Sequence, residues 1–436
     1  MKPAPPCVGV ACSGGRDSMA LLHVTLEQAK ALGLRVVALH VHHGLQPQAD
    51  EWLRHVEQLC SQWKAEGRPV EFRAHRLQGS PTGGESVEAW ARRGRYEALG
   101  AMAREAGACL VLLAHHRRDQ AETFVLQALR GGGAAGLSAM PRLVVRDGIA
   151  WGRPWLELPR NAIEAYMELH GLRHVDDPSN EAERHARNRL RVQVWPGLIR
   201  GFPDAEVALG MAAERAQEEA RCLQELAALD LSGMVDGEAL DLRAWASLSS
   251  ARRANALRAW YRGRSGRGAP QTLIARLLEE LTSANGPSHW PADGGELRCY
   301  RDRLEWHAGA PRIRSVHEDS AQSFCCSEPG IYRLSRWEGA LQVDVVSEGG
   351  VARRWLERGG ELRARVGGER FQRHPKGIPR SLKKEYQAAG IAAWQRDGPL
   401  LYCDGQLVFV PGLGIDARAV APRDEPQFGL RWRSDG

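Results

Sequence analysis

Residues 8–24, VGVACSGGRDSMALLHV, carry an apolar run, a polar loop and a second apolar pattern at helical spacing. Val8 and Val10 suit a buried strand, and Met19, Leu21, Leu22 and Leu26 can line one side of a helix that covers it. Between them, Gly14 and Gly15 let the backbone approach an anion closely. Ser13 and Ser18 add hydroxyl donors, and the following helix presents unpaired N–H groups at its positive end. Asp17 can hold the magnesium that accompanies nucleotide phosphates. The spacing is neither that of a Walker loop nor that of a GxGxxG dinucleotide fingerprint. An ordinary Gly-Ser turn between strand and helix uses the same residue types.

SGGxDS after a strand resembles the phosphate loop of the PP-loop ATP pyrophosphatase superfamily. That resemblance implies an α/β domain with a parallel sheet, and cleavage of ATP to AMP and pyrophosphate. Ser13, Gly14, Gly15, Arg16, Asp17 and Ser18 are then the ATP-binding loop.

A chain of 436 residues exceeds one ordinary core, so two or three domains are expected, and a 43% hydrophobic content can fill them. The opening residues carry no signal-peptide pattern, and no run of about 18 apolar residues is present to span a bilayer. Nine cysteines, an odd number without a CxxC pair, argue against a disulfide frame or a zinc ribbon and favour a reducing cytoplasm. The formal charge of +6 points mildly towards nucleic acid. Of 59 basic residues only six are lysine, however, so an arginine run counts as evidence only where a motif surrounds it.

Along the chain, Leu34 to Val41 reads as a second parallel strand ending in His42-His43-Gly44. Ligands of open α/β sheets sit at the carboxyl ends of strands, which would bring His42 near the adenine; a turn with solvated histidines is the alternative. Residues 50–66 read as an amphipathic helix and Val70 to Ala74 as a third strand. After a loop at Gly79 to Gly84, a helix carries Arg92 and Arg95 three residues apart on one face. They can grip a phosphate or form a solvated basic face. Ala108 to Leu113 reads as a fourth strand running into His115, His116, Asp119 and Glu122, delivered to the same sheet edge as the SGGRDS loop. The two carboxylates share a helix face, where they can bind a metal or an amine, or cap the helix. Leu129 to Gly133 suits both a helix stop and a hinge.

SGGRDS, VHHGL, EAWARRGRY, AHHRRDQAET, LRGGG and GLSAM, in this order and spacing, resemble the bacterial tRNA(Ile)-lysidine synthetase family. Arg153-Pro154, Ile163 to Tyr166, Asp176 to Asn180, Arg187 to Arg191 and Trp195-Pro196 extend the likeness over most of the first 200 residues. There are two departures: Arg118 stands where the family usually has an acidic residue, and Val175 where an aromatic is expected.

The resemblance implies an ATP- and Mg2+-dependent ligase. It adenylates the wobble cytidine of the isoleucine tRNA with a CAU anticodon, and free L-lysine then displaces AMP to leave lysidine. In that chemistry the loop and His42 hold ATP, and Arg92 and Arg95 stabilise the phosphates. Asp17 and Asp119 are the metal candidates, and Asp119 and Glu122 orient lysine or accept its proton. Arg187 and Arg191 are implied tRNA contacts.

From 204 to 306 the pattern is helical, with Arg252, Arg253, Arg258, Arg262, Arg264 and Arg267 crowded into one segment that suits either an RNA backbone or solvent. Residues 307–350 read as a connection or extra strands. Residues 351–436 resemble the family's small α+β C-terminal domain, and three of the six lysines fall there. Arg370, Lys383 and Lys384 are its candidates for tRNA contact. The catalytic domain is expected over 1–203, and a homodimer is left open. A PP-loop tRNA thiolase would need cysteine groups absent here, and a non-catalytic RNA-binding protein would not need SGGRDS beside Asp119 and Glu122.

Overall fold

The computed structural model describes residues 5–44, 48–80, 86–175, 186–282, 287–309 and 321–434. Asp176 to Asn180, Leu45 and Pro81 to Gly84 lie outside the described residues. The chain divides into two compact units, Met1–Gln224 and Glu225–Gly436.

The first unit alternates strand and helix: β1 (Cys7–Ala11), α1 (Arg16–Leu32), β2 (Arg35–His42), α2 (Ala49–Ala65), β3 (Val70–Arg76), α3 (Val87–Glu105), β4 (Ala108–Leu112) and α4 (Arg117–Leu129). A short α5 (Ala134–Leu137), the hairpin β5 (Leu143–Arg146) and β6 (Ile149–Gly152), and α6 (Arg160–Leu169) follow. Strand order is β3-β2-β1-β4-β6-β5, parallel except for β5 against β6. Alternate residues of β2 face opposite sides. Val36 and Ala38 pack with Leu22 and Leu26 of α1, whereas Val37, Leu39 and Val41 pack with Leu99 and Met102 of α3. Order reverses between β1 and β4, so α1 and α4 both start at the crevice where such sheets bind ligands.

The repeat of long apolar runs predicts four parallel strands; the sheet has six. The added hairpin turns at Asp147-Gly148, where φ is +52° and +76°. Asp-Gly between apolar runs is a hairpin signal, masked here because both strands have only four residues.

Beyond α6, helix α7 (Ala186–Arg189) runs through a π-helical segment, Leu190–Val194, into α8 (Trp195–Gly201), and α9 covers Ala205–Leu231. Leu190 and Trp195 pack against Ala121 of α4.

The second unit corrects the purely helical expectation for the middle of the chain. The helices Ser250–Ser265 and Gln271–Glu280 accompany a five-stranded antiparallel sheet formed from 235–241 and 288–308. Trp245, Trp260, Tyr261 and Trp290 fill the shared core. Its strands of two to six residues are too short to stand out beside the arginine-rich helices. Several of those arginines serve the fold: Arg252 pairs with Asp230, Arg253 lies over the Trp245 ring and Arg258 donates to Gln271 Oε1. Strand Gly339–Val346 pairs over eight residues with Gln427–Ser434, so the polar stretch before 350 supplies sheet to the C-terminal region.

Candidate active site

The phosphate loop is built from its own residues. The Cys12 N–H donates to the Leu39 carbonyl at 2.8 Å, which extends the β1–β2 register to the loop's threshold. Ser13 Oγ and Ser18 Oγ are 3.1 Å apart, Ser18 Oγ also accepts the Ser13 N–H at 3.2 Å, and the Gly15 N–H donates to Ser13 Oγ at 3.3 Å. Gly14 has φ +89°, and a Cβ there would lie 3.0 Å from Val175 Cγ2 and 3.1 Å from Val56 Cγ2. Gly15 caps α1 without a side-chain hydrogen bond, leaving the first-turn N–H groups beside Asp17 for an anion. The Val175 N–H donates to the Gly14 carbonyl at 3.0 Å, so the residue that departs from the family pattern seals the loop through its backbone.

At the start of α4, His116 caps the helix and its N–H donates to Asp119 Oδ2 at 3.2 Å. The His116 ring is buried between two carboxylates, with Nε2 3.7 Å from Asp17 Oδ2 and 3.5 Å from Asp119 Oδ2. The two helix starts thus meet across one imidazole. Arg191 donates to Asp119 Oδ1 at 2.9 Å and to Glu122 Oε1 at 2.7 Å, while Arg187 donates to Thr123 Oγ1 at 2.7 Å. Arg118 Nε is 3.6 Å from Glu122 Oε1, and its guanidinium lies over Trp195. Glu122 is fully buried, and among the described residues its Oε2 makes no hydrogen bond.

Charge follows from this packing. Burial opposes ionisation of Asp119, but His116, His115 and Arg191 outweigh it and hold the carboxyl below its ordinary range. His115 is pushed down to about 4, chiefly by burial; Asp119 opposes this, and Arg153, Arg187 and Arg92 reinforce it. Arg92 is exposed on α3, with its guanidinium over the Tyr96 ring. Arg95 lies on the same helix, where packing around its guanidinium, reinforced by the Arg92 charge, lowers its pKa. His42 is buried at the end of β2, where it accepts the Gly44 N–H at 3.2 Å and lies 3.3 Å from Asp50.

Arg187 and Arg191, implied as tRNA contacts by resemblance, instead turn inward to Glu122, Thr123 and Asp119. The family motifs contain His116 without exposing its bridging place. Arg153, buried with NH1 donating to the Pro141 carbonyl at 2.8 Å, and Glu164, which binds Arg16 at 2.5 Å, carry no separate sequence signal of their roles. In the second unit, Arg370, Arg380, Ser381 and Lys384 line an open groove of about 690 Å³; Lys383 is exposed but does not line it.

Family comparisons agree with this architecture. Residues 2–198 match the PP-loop domain, 240–305 the TilS substrate binding domain and 361–432 the TilS substrate C-terminal domain. The chain is 40% identical over 426 residues to a tRNA(Ile)-lysidine synthase of Ralstonia nicotianae, covering 95% of this chain and 90% of that one. The chain belongs to the tRNA(Ile)-lysidine synthase family. Family enzymes from Chromobacterium violaceum (37% identity, 94% of this chain and 92% of that one) and Nitrosomonas europaea (34%, 97% and 91%) align over comparable lengths. Membership makes the chain an enzyme with a PP-loop ATP-using domain.

Among the described residues no group of three or more His, Cys, Asp or Glu has metal-binding spacing, and no helix is long and apolar enough to cross a membrane. Magnesium does not need such a group, because it keeps several waters and takes one or two carboxylates plus substrate phosphates. Asp17, about 30% exposed beside the uncapped loop, fits that requirement.

Proposed function

We propose that this enzyme ligates free L-lysine to the wobble cytidine of the isoleucine tRNA with a CAU anticodon, through an adenylated cytidine, releasing pyrophosphate and AMP. The product lysidine pairs with A in place of G, which switches codon reading from AUG to AUA. The carrying observation is the meeting of an uncapped phosphate loop and the buried Asp119 across the His116 ring at one sheet crevice. The near full-length likeness to tRNA(Ile)-lysidine synthases supports the substrate.

Ser13 to Ser18 hold ATP through backbone N–H groups and hydroxyls. Arg92 and Arg95 offset charge on the departing pyrophosphate, with His42 on the adenine side. Asp17 holds magnesium, which supplies charge neutralisation at the phosphates, and Asp119 remains a candidate second carboxylate for it. Glu122 accepts the lysine side-chain amine through Oε2, with Asp119 orienting the approach. The division of labour is catalysis in 1–203 and tRNA binding in 204–306 and in a C-terminal region, 351–436, whose sheets also draw strands from 322–346. Arg370, Lys383 and Lys384 contact the RNA backbone. All nine cysteines are free, which suits a reducing cytoplasm.

The test is incubation with radiolabelled lysine, ATP, magnesium and the isoleucine tRNA transcript, beside an Asp17→Ala variant and a methionine tRNA that shares the CAU anticodon. Label confined to wild type and the isoleucine tRNA is expected. A folded protein that leaves both tRNAs unlabelled, in an assay with a working control, overturns the reading.

A further inference from the structure

The fourth residue of the loop contributes a side chain whose contacts are separate from the cradle. Arg16 Nε donates to Asp17 Oδ1 at 3.0 Å, and Arg16 NH1 donates to Glu164 Oε1 at 2.5 Å. Glu164 sits on α6 and also accepts from Arg160 Nε at 3.0 Å, one helical turn away. The guanidinium therefore lies between two carboxylates, one inside the loop and one 148 residues distant. On the other side of Asp17, Oδ2 faces His116 Nε2 at 3.7 Å.

A dication arriving at Asp17 meets a guanidinium already bound to one of that carboxylate's oxygens. Two cations on one carboxylate repel, so Arg16 has to leave Asp17 before a metal takes that oxygen. Glu164 supplies a destination that Arg16 already touches. Without it, Asp17 would be the remaining partner, and the guanidinium would compete with the metal more strongly.

We infer that Arg16 is a latch on Asp17 and that Glu164 is the positioning residue that holds the latch aside when the site loads magnesium with the nucleotide. The inference rests on the proposed role of Asp17 as the magnesium carboxylate. It makes Arg16 a competitor of the metal and Glu164 a determinant of how much magnesium the loop requires. The side chains of Arg16, Asp17 and Glu164 are 21%, 30% and 41% exposed, so solvent screening keeps the effect modest.

The experiment is calorimetric titration of the full chain with an ATP analogue carrying a methylene bridge between the α- and β-phosphorus atoms, over a magnesium series. Circular dichroism checks the fold of each variant. Glu164→Gln is expected to raise the magnesium concentration for half-maximal analogue binding by about two- to fivefold, and Arg16→Leu to lower it. The double variant should match Arg16→Leu alone, because the glutamate acts only through the arginine. The inference is overturned if Glu164→Gln leaves the magnesium dependence unchanged, if its effect persists without Arg16, or if Arg16→Leu raises the magnesium concentration for half-maximal binding. Asp17→Asn separates the two levels. Retained wild-type magnesium dependence in that variant removes the role of Asp17 and the latch with it. Lost dependence alongside an inert Glu164→Gln removes the latch alone.

Discussion

The SGGRDS loop and the acidic start of α4 lie at the same sheet crevice but are held together differently. The loop's internal hydrogen bonds join residues within five positions of one another, and its glycine conformation is a backbone property. Asp119 and Glu122 are held by Arg191, 72 and 69 residues further on. A site made of backbone is specified locally. A site made of buried charge depends on whichever distant side chains the fold returns to it.

The largest expected effect tests the second half of that contrast. Arg191→Ala leaves the fully buried Glu122 without its closest cation, and should lower unfolding stability by about 3 kcal/mol in a denaturant titration. Adding Glu122→Gln should recover part of the loss. An unchanged midpoint for the single variant would mean that charge pairing does not hold this region. Gly14→Ala tests the first half. Its positive φ and the two close valine contacts should weaken nucleotide-analogue binding about 10- to 100-fold, with less effect on global unfolding. Equal damage to stability and binding would erase the distinction between the regions.

His115 gives a smaller, pH-dependent comparison. Its folded-state value of about 4 lies below the ordinary 6.5, so between these values the unfolded chain binds the extra proton. Stability should therefore fall as pH drops from 6.5 towards 4, by on the order of 1 kcal/mol after allowance for partial exposure. Denaturant unfolding at pH 7 and pH 5 reads the loss, and His115→Gln should flatten that dependence. The smallest effect extends the contrast to the groove in the second unit. Arg370→Ala or Lys384→Ala should each reduce the salt dependence of tRNA binding by about one unit of log–log slope, with nucleotide-analogue binding unchanged.

Much of the first unit is legible in the chain. The apolar runs at β1, β2 and β4, the helix pattern after Ser18 and the polar turns between them define an alternating α/β sheet and the edge where its site forms. The β5–β6 hairpin escapes that reading because four-residue strands carry little periodicity, despite their Asp-Gly turn. The sheet of the middle region is hidden for the same reason. The family resemblance implies Arg187 and Arg191 as RNA contacts, and their pairing with Glu122, Thr123 and Asp119 is not legible beside that, since charge carries no periodicity that tells inward from outward.

The sequence by itself determined the phosphate loop, because glycine conformation, hydroxyl spacing and an uncapped helix start are properties of consecutive residues. It also determined which carboxylates reach the crevice, through their offsets from the end of β4. Only the tertiary structure decided their partners. His116 between Asp17 and Asp119, Arg191 across Asp119 and Glu122, Val175 against Gly14 and Glu164 on Arg16 all depend on how helices and loops return to the sheet. Charges act through space, and that space exists only once the chain has packed.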